Sequence, residues 1–253
     1  MKSITSCSAK SHADLAQEWN QLAEQRHHQI VSGEDLSFHH VVSPTMWRLF
    51  EGADPNVVLD IGSGTGEFTL QLAQIAGQVI AVEPSQASMK IARRVCASAH
   101  NVSYVEASLE KAACILDKEP ATAAVAVMTL MTTPDLRRFA KALAALLQTR
   151  AWFVATLTHP SFWPRYWGYE EEHWFHYERE IFIEAPFVIS KSRTEVRTTH
   201  IHRPIEQYVS AFAEHGFRLD ALAEPMPALE IEALYPRTWK FPRFLGLRWE
   251  KVV

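Results

Sequence analysis

One stretch restricts this chain more than any other: Val57-Val58-Leu59-Asp60-Ile61-Gly62-Ser63-Gly64-Thr65-Gly66-Glu67-Phe68. Its opening apolar run, with two adjacent valines, reads as a buried parallel strand. Three glycines in five residues then make a tight turn where backbone can approach a ligand closely. Beyond the turn, Phe68, Leu70, Leu72, Ala73, Ile75 and Ala76 recur at roughly helical spacing. Strand, glycine turn and helix together specify the ligand-binding half of a doubly wound α/β fold. The free N–H groups and partial positive charge of the helix N-terminus lie beside the ligand.

The spacing within the turn narrows the ligand. A dinucleotide fingerprint reads G-x-G-x-x-G, whereas here the third glycine comes one residue early and Glu67 holds the fingerprint's last position. Asp60 stands two residues before the first glycine, where its charge repels a pyrophosphate and suits a cation. The next apolar run, Val79-Ile80-Ala81-Val82, ends in Glu83. A carboxylate ending the second strand is placed to accept hydrogen bonds from ribose hydroxyls. The combination implies a ribonucleoside whose other half is positive and carries no phosphate.

The rest of the chain alternates as βαβ units do. Strands are expected at Val57 to Asp60, Val79 to Glu83, Val102 to Val105, Ala123 to Met128 and Trp152 to Leu157. Helices are expected at Glu67 to Ala76, Gln86 to Ala99, and from Pro134-Asp135 through Leu147. Before this core, His12 to Val31 has the pattern of an amphipathic helix, and Asp35 to His40 reads as a loop. Ser43 and Pro44 read as N-cap and first residue of a second helix. After the core, the segment from His159 to Glu180 gathers Phe162, Trp163, Tyr166, Trp167, Tyr169, Trp174, Phe175 and Tyr177. It is expected to wall the substrate cavity. Phe182 to Ile189 is strand-like, Ile205 to His215 is a helix, and Phe244 to Val252 is the last strand, with Leu245, Leu247 and Trp249 alternating.

Val-Leu-Asp-Ile-Gly-Ser-Gly-Thr-Gly resembles the first motif of the class I S-adenosylmethionine-dependent methyltransferases, and Ala-Val-Glu-Pro-Ser resembles their second-strand acidic motif. The resemblance covers roughly Val57 to Thr158. It implies a Rossmann-like methyltransferase fold: one domain with a doubly wound, mostly parallel seven-stranded sheet that ends in an antiparallel hairpin. Its expected parts are an N-terminal helical lid (1–52), a cofactor-binding core (53–158), an aromatic-rich substrate-side insertion after strand five (159–190) and a C-terminal helix with the last strands (191–253). The cofactor implied is S-adenosyl-L-methionine. Gly62, Ser63, Gly64, Thr65 and Gly66 would border its methionine portion, with Asp60 orienting the loop. Glu83 and Pro84 would face the ribose, and Ser108 and Leu109 the adenine. Met128, at the end of strand four, would lie near the cofactor. Ser108 stands where the family usually has aspartate.

The expected function is methyl transfer to a small-molecule acceptor, an oxygen nucleophile, by in-line displacement. Histidine suits a general base because its pKa lies near neutrality. The candidates are His159, directly after strand five, and His39 and His40 in the lid loop. Three rival readings are an NAD(P)-dependent oxidoreductase, a non-enzymatic binding module that keeps the fold, and a methyltransferase of protein or RNA. Composition narrows the choice. A net charge of −4 with no basic stripe argues against nucleic acid. No apolar run approaches membrane-spanning length, and three cysteines without metal spacing suit a reducing cytoplasm. Glu170 to His176, with His173 and His176 three apart, reads as charged surface, and no metal is expected. His27 and His28 read as solvated. Arg165, Arg179, Arg203 and Arg237 are candidates for binding a substrate anion. A monomer or homodimer is expected.

Overall fold

A computed structural model describes residues 4–116 and 120–253. The chain runs β1 (Thr5–Cys7), α1 (His12–Val31), a π-helical turn (Phe38–Val42), α2 (Ser43–Phe50), β2 (Val57–Ile61), α3 (Glu67–Ala73), β3 (Gln78–Val82) and α4 (Gln86–Val95). It continues β4 (Val102–Val105), α5 (Leu109–Ile115), β5 (Ala121–Val127), a 3₁₀ turn (Leu130–Thr132), α6 (Leu136–Leu146), β6 (Leu147–Thr158) and α7 (Trp163–Trp167). It ends β7 (Ile181–Val188), β8 (Arg193–His202), α8 (Ile205–Ala213), β9 (Phe217–Ala223), α9 (Leu229–Glu232) and β10 (Phe244–Lys251).

The main sheet has seven strands in the order β4-β3-β2-β5-β6-β10-β9. The first five are parallel, while β10 runs antiparallel to both β6 and β9. Side chains alternate across it. Leu59, Ala124 and Phe153 pack to one side with Phe139, Leu143 and Phe212. Val58, Val79, Ala123 and Val154 pack to the other with Met46, Phe50, Phe68 and Leu72. Burial on both faces explains why the parallel strands read as unbroken apolar runs. The strand order reverses between β2 and β5, so ligand space opens beyond their C-terminal ends.

A second, antiparallel sheet has the order β1-β7-β8. Helix α1 lies against it: Leu15 packs with Phe182 and Ile201, and the Thr199 N–H donates to Glu18 at 2.7 Å. The start of α1 is set by a capping box in which Ser11 and Asp14 satisfy each other's backbone N–H groups. The aromatic segment is therefore followed by a hairpin, β7–β8, that crosses the expected boundary at 190/191. Two details differ from the sequence reading. Asp35 to His40 is not a free loop but enters the π-helical turn. Ser43 is not an N-cap, because the π turn feeds directly into α2; its hydroxyl donates instead to Gln71 Oε1 at 3.1 Å.

Candidate functional site

The loop after β2 is tied to its neighbour strand. The N–H groups of Gly62 and Ser63 both donate to Val82 O, at 2.8 and 3.2 Å. Gly62, Gly64 and Gly66 all have positive φ. Gly66 is needed for space as well, since a Cβ there would lie 2.8 Å from Ala92 Cα on α4. Glu67 is latched from two sides: Thr65 Oγ1 donates to Oε2 at 2.6 Å, and His27 Nδ1 lies 2.6 Å from Oε1. His27, expected to be solvated, thus pins α1 to the glycine loop.

Asp60 is buried beneath the loop, with Thr69 Oγ1 donating to Oδ2 at 2.6 Å. Burial pushes its carboxyl up to about 6 against that hydrogen bond. Glu83 is 7% exposed and accepts from the Ser85 N–H (2.7 Å) and the Gly64 N–H (2.9 Å). Burial raises it to about 7; the two backbone donors oppose the shift and the charge of Asp60 adds to it. Met128 follows β5 with φ 56, a left-handed conformation rare outside glycine. Its N–H donates to Thr156 O at 2.9 Å, which fixes that backbone in place.

Every cofactor-site residue expected from the sequence except Gly66 lines one cleft: Asp60, Gly62, Ser63, Gly64, Thr65, Glu83, Pro84, Ser108, Leu109 and Met128. Gly66 forms the turn behind it. The Ser63 hydroxyl is buried without a hydrogen-bond partner among the described residues, a polar group that a bound ligand can satisfy. A purine nucleoside with a charged amino-acid arm fits this set of glycine backbone, ribose-facing carboxylate and open hydroxyl.

A second chamber adjoins the cleft. Its walls include Trp163, Tyr166 and Trp167 from the aromatic insertion, Phe187 and His200 from the small sheet, and Arg243 with Phe244 from the start of β10. Trp19, Arg26, Phe38, Met128 and Thr132 line both spaces. None of these shared residues is a histidine or a carboxylate. Asp35 lines the chamber, but Oδ2 lies 2.7 Å from Arg26 Nη1 and Oδ1 accepts the Phe38 N–H at 3.0 Å.

The three expected histidines line neither space. His159 is 1% exposed: Nδ1 accepts the Ser161 N–H at 3.2 Å, and Nε2 lies 2.9 Å from Glu224 Oε1. Both ring nitrogens are thus occupied, and burial lowers its pKa. His39 is exposed, with Nε2 2.7 Å from Ile30 O, and His40 is exposed beside it. The histidine in the chamber wall is His200, whose Nε2 meets the Tyr169 hydroxyl at 3.1 Å. Burial, helped by His202, holds His200 down at about 3, so it is a neutral ring. The expected arginines are also elsewhere. Arg203 is buried against Glu180 and the carbonyls of Leu130, Thr133 and Pro134. Arg165, Arg179 and Arg237 are exposed. Arg26 and Arg243, which do face the chamber, carry no motif that sequence alone can flag. Among the described residues, no group of three or more His, Cys, Asp or Glu is arranged to hold a metal ion. No helix among them is long and apolar enough to cross a membrane.

Residues 58–150 match the family described as "Methyltransferase domain". No curated protein matches the chain significantly. Among solved structures, a S-adenosylmethionine dependent methyltransferase from Mesorhizobium loti is 18% identical with a TM-score of 0.58, covering 82% of this chain and 96% of its own. The 1,6-didemethyltoxoflavin-N1-methyltransferase of Burkholderia thailandensis, solved with 1,6-didemethyltoxoflavin and S-adenosylhomocysteine, is 14% identical with a TM-score of 0.63. It covers 100% of this chain and 96% of its own. The N-methyltransferase NodS of Bradyrhizobium japonicum is 12% identical with a TM-score of 0.56, covering 83% and 94%. The nicotinamide alternative has no support in these matches or in the glycine spacing. The family match spans the glycine loop and the strand ends that carry Glu83 and Met128, so residues 58–150 carry a methyltransferase domain, and these solved methyltransferases share the fold of the chain.

Proposed function

We propose that the protein transfers a methyl group to an oxygen of a small planar molecule held in the aromatic chamber. One observation carries this reading: the cleft below the glycine loop meets an aromatic-walled chamber at Trp19, Arg26, Phe38, Met128 and Thr132. A small acceptor is also what the printed name of the Burkholderia relative describes for that protein. S-adenosylmethionine supplies an electrophilic methyl on a sulfonium, so no enzyme nucleophile is required. The protein's task is alignment and exclusion of water.

The residues divide that task. Glu83 accepts the ribose hydroxyls, and the glycine loop with the Ser63 hydroxyl borders the amino-acid arm. Asp60 holds the loop from beneath through Thr69. Ser108 and Leu109 flank the base. Met128, fixed in a left-handed turn, and Trp19 close the sides of the junction, where an apolar wall favours loss of charge in the transition state. His159, His39 and His40 line neither space, so we assign proton removal to none of them. The acceptor oxygen therefore enters already deprotonated, as an acidic phenol or enol does, and Arg26, its charge balanced by Asp35, offers it a hydrogen-bond donor at the junction. The test is incubation with methyl-labelled S-adenosylmethionine and a panel of phenols, alkyl alcohols, aryl amines, polypeptide and RNA. Label appearing on phenols but not on alkyl alcohols is the expected result. Transfer only to amines, or to polypeptide or RNA, would refute the acceptor assignment.

A further inference from the structure

Arg243 sits at the entry to β10 and is 4% exposed, yet no carboxylate forms an ion pair with it among the described residues. Its Nη2 donates to the carbonyls of Arg237 (2.8 Å) and Thr238 (3.2 Å). Its guanidinium lies over the rings of Tyr166 (4.0 Å), Trp239 (4.2 Å) and Tyr235 (5.5 Å). The carboxylate acting on it at longer range, Glu232, is engaged by the Trp239 N–H at 2.8 Å. Nε and Nη1 make no hydrogen bond with the described residues. A buried cation without a counterion is costly, by several kcal/mol in order of magnitude. Contacts with aromatic faces return only about 0.5–2 kcal/mol each.

The remaining charges of the chamber do not compensate. Arg26 and Asp35 neutralise each other at 2.7 Å, and His200 is neutral at physiological pH. The chamber therefore presents one unbalanced positive charge among aromatic walls. Its volume is about 160 Å³, close to the cavity of ~150 Å³ that accepts benzene in a protein interior. Arg243 lines the chamber but not the cofactor cleft, so a charge bound there lies away from the transferred methyl.

From these features we infer that the acceptor is a single-ring molecule bearing a carboxylate remote from the methylated atom, and that Arg243 receives that carboxylate through its free Nε and Nη1 donors. The inference rests on the two-space reading above and names its substrate class. Binding energy at this remote group would hold the ring in register for transfer.

The probes are 3-hydroxybenzoate, 4-hydroxybenzoate and 4-hydroxycinnamate, each paired with its primary amide. Each is titrated calorimetrically into protein saturated with S-adenosylhomocysteine. At least one acid is expected to bind about tenfold tighter than its amide, the discrimination a charge-assisted contact gives. Arg243→Gln should bring the acid down to the amide's affinity, and Arg243→Lys should retain part of the preference. S-adenosylhomocysteine affinity in each variant, expected within about twofold of wild type because the cleft lies apart, reports that the fold is intact. Equal binding of acid and amide, no binding by any acid, or parallel weakening of both in Arg243→Gln would overturn the inference. Failure of the wild type to bind S-adenosylhomocysteine would instead overturn the cofactor assignment beneath it.

Discussion

Glu83 offers a pH signature that few other roles would give it. Both carboxylate oxygens already accept backbone N–H groups, from Ser85 and Gly64, yet burial outweighs them and raises the group to about 7. Hydroxyl donors from a ribose favour the ionised form, so cofactor affinity should follow the ionised fraction. That fraction is about 0.9 at pH 8 and about 0.1 at pH 6, so the dissociation constant should rise about tenfold, or ~1.4 kcal/mol, over that range. Calorimetric titration of S-adenosylhomocysteine at half-unit steps measures this directly. Glu83→Gln should weaken binding at pH 8 and flatten the dependence between pH 6.5 and 8. Any slope left below that window belongs to Asp60, raised to about 6. The free protein should behave oppositely. A carboxyl whose folded pKa exceeds its ordinary 4.5 binds protons better folded than unfolded, so its contribution to stability falls as pH rises from about 4.5 to 7. Affinity that is flat in the wild type from pH 8 to 6, or a slope that survives Glu83→Gln above pH 6.5, would refute the reasoning.

Three other outcomes are expected. Gly66→Ala forces a Cβ to within 2.8 Å of Ala92 Cα at a φ of +92°, and should cost about 2–4 kcal/mol in denaturant unfolding; a loss below the noise of the method would show that α4 gives way. His159→Ala removes the acceptor of the Ser161 N–H and the partner of Glu224, and should cost about 1–3 kcal/mol while leaving the pH profile of turnover unchanged. A profile that loses an ionisation would return His159 to the chemistry. Trp163→Ala, which opens the chamber wall, should raise the acceptor KM about tenfold or more without shifting S-adenosylhomocysteine affinity; a change in cofactor affinity alone would separate Trp163 from the chamber.

The parallel core was legible because β2, β3 and β5 are buried on both faces and α3 and α4 show their apolar sides in sequence. The glycine loop and Glu83 were legible for a related reason: a strand-turn-helix leaves its chemistry within a few residues. What escaped is built from residues distant in sequence. Strand β8 is polar along much of its length because it pairs in a small sheet capped by α1, where Glu18 takes the Thr199 N–H. β9 was absorbed into the segment after α8, since its alternation is completed only by β10. His159 stands at the ligand edge in sequence, yet Arg243 O and Glu224 draw it into a corner of its own. Arg26 and Arg243 are single arginines in unremarkable surroundings, and only the fold brings them to one chamber.

A crystal structure with S-adenosylhomocysteine bound tests the central claim most directly. The account predicts ribose hydroxyls on Glu83, the amino-acid arm beside Gly62 to Gly66, and the sulfur facing the aromatic chamber past Trp19 and Met128. A ligand whose sulfur points away from that chamber, or that binds outside the glycine loop, would contradict it.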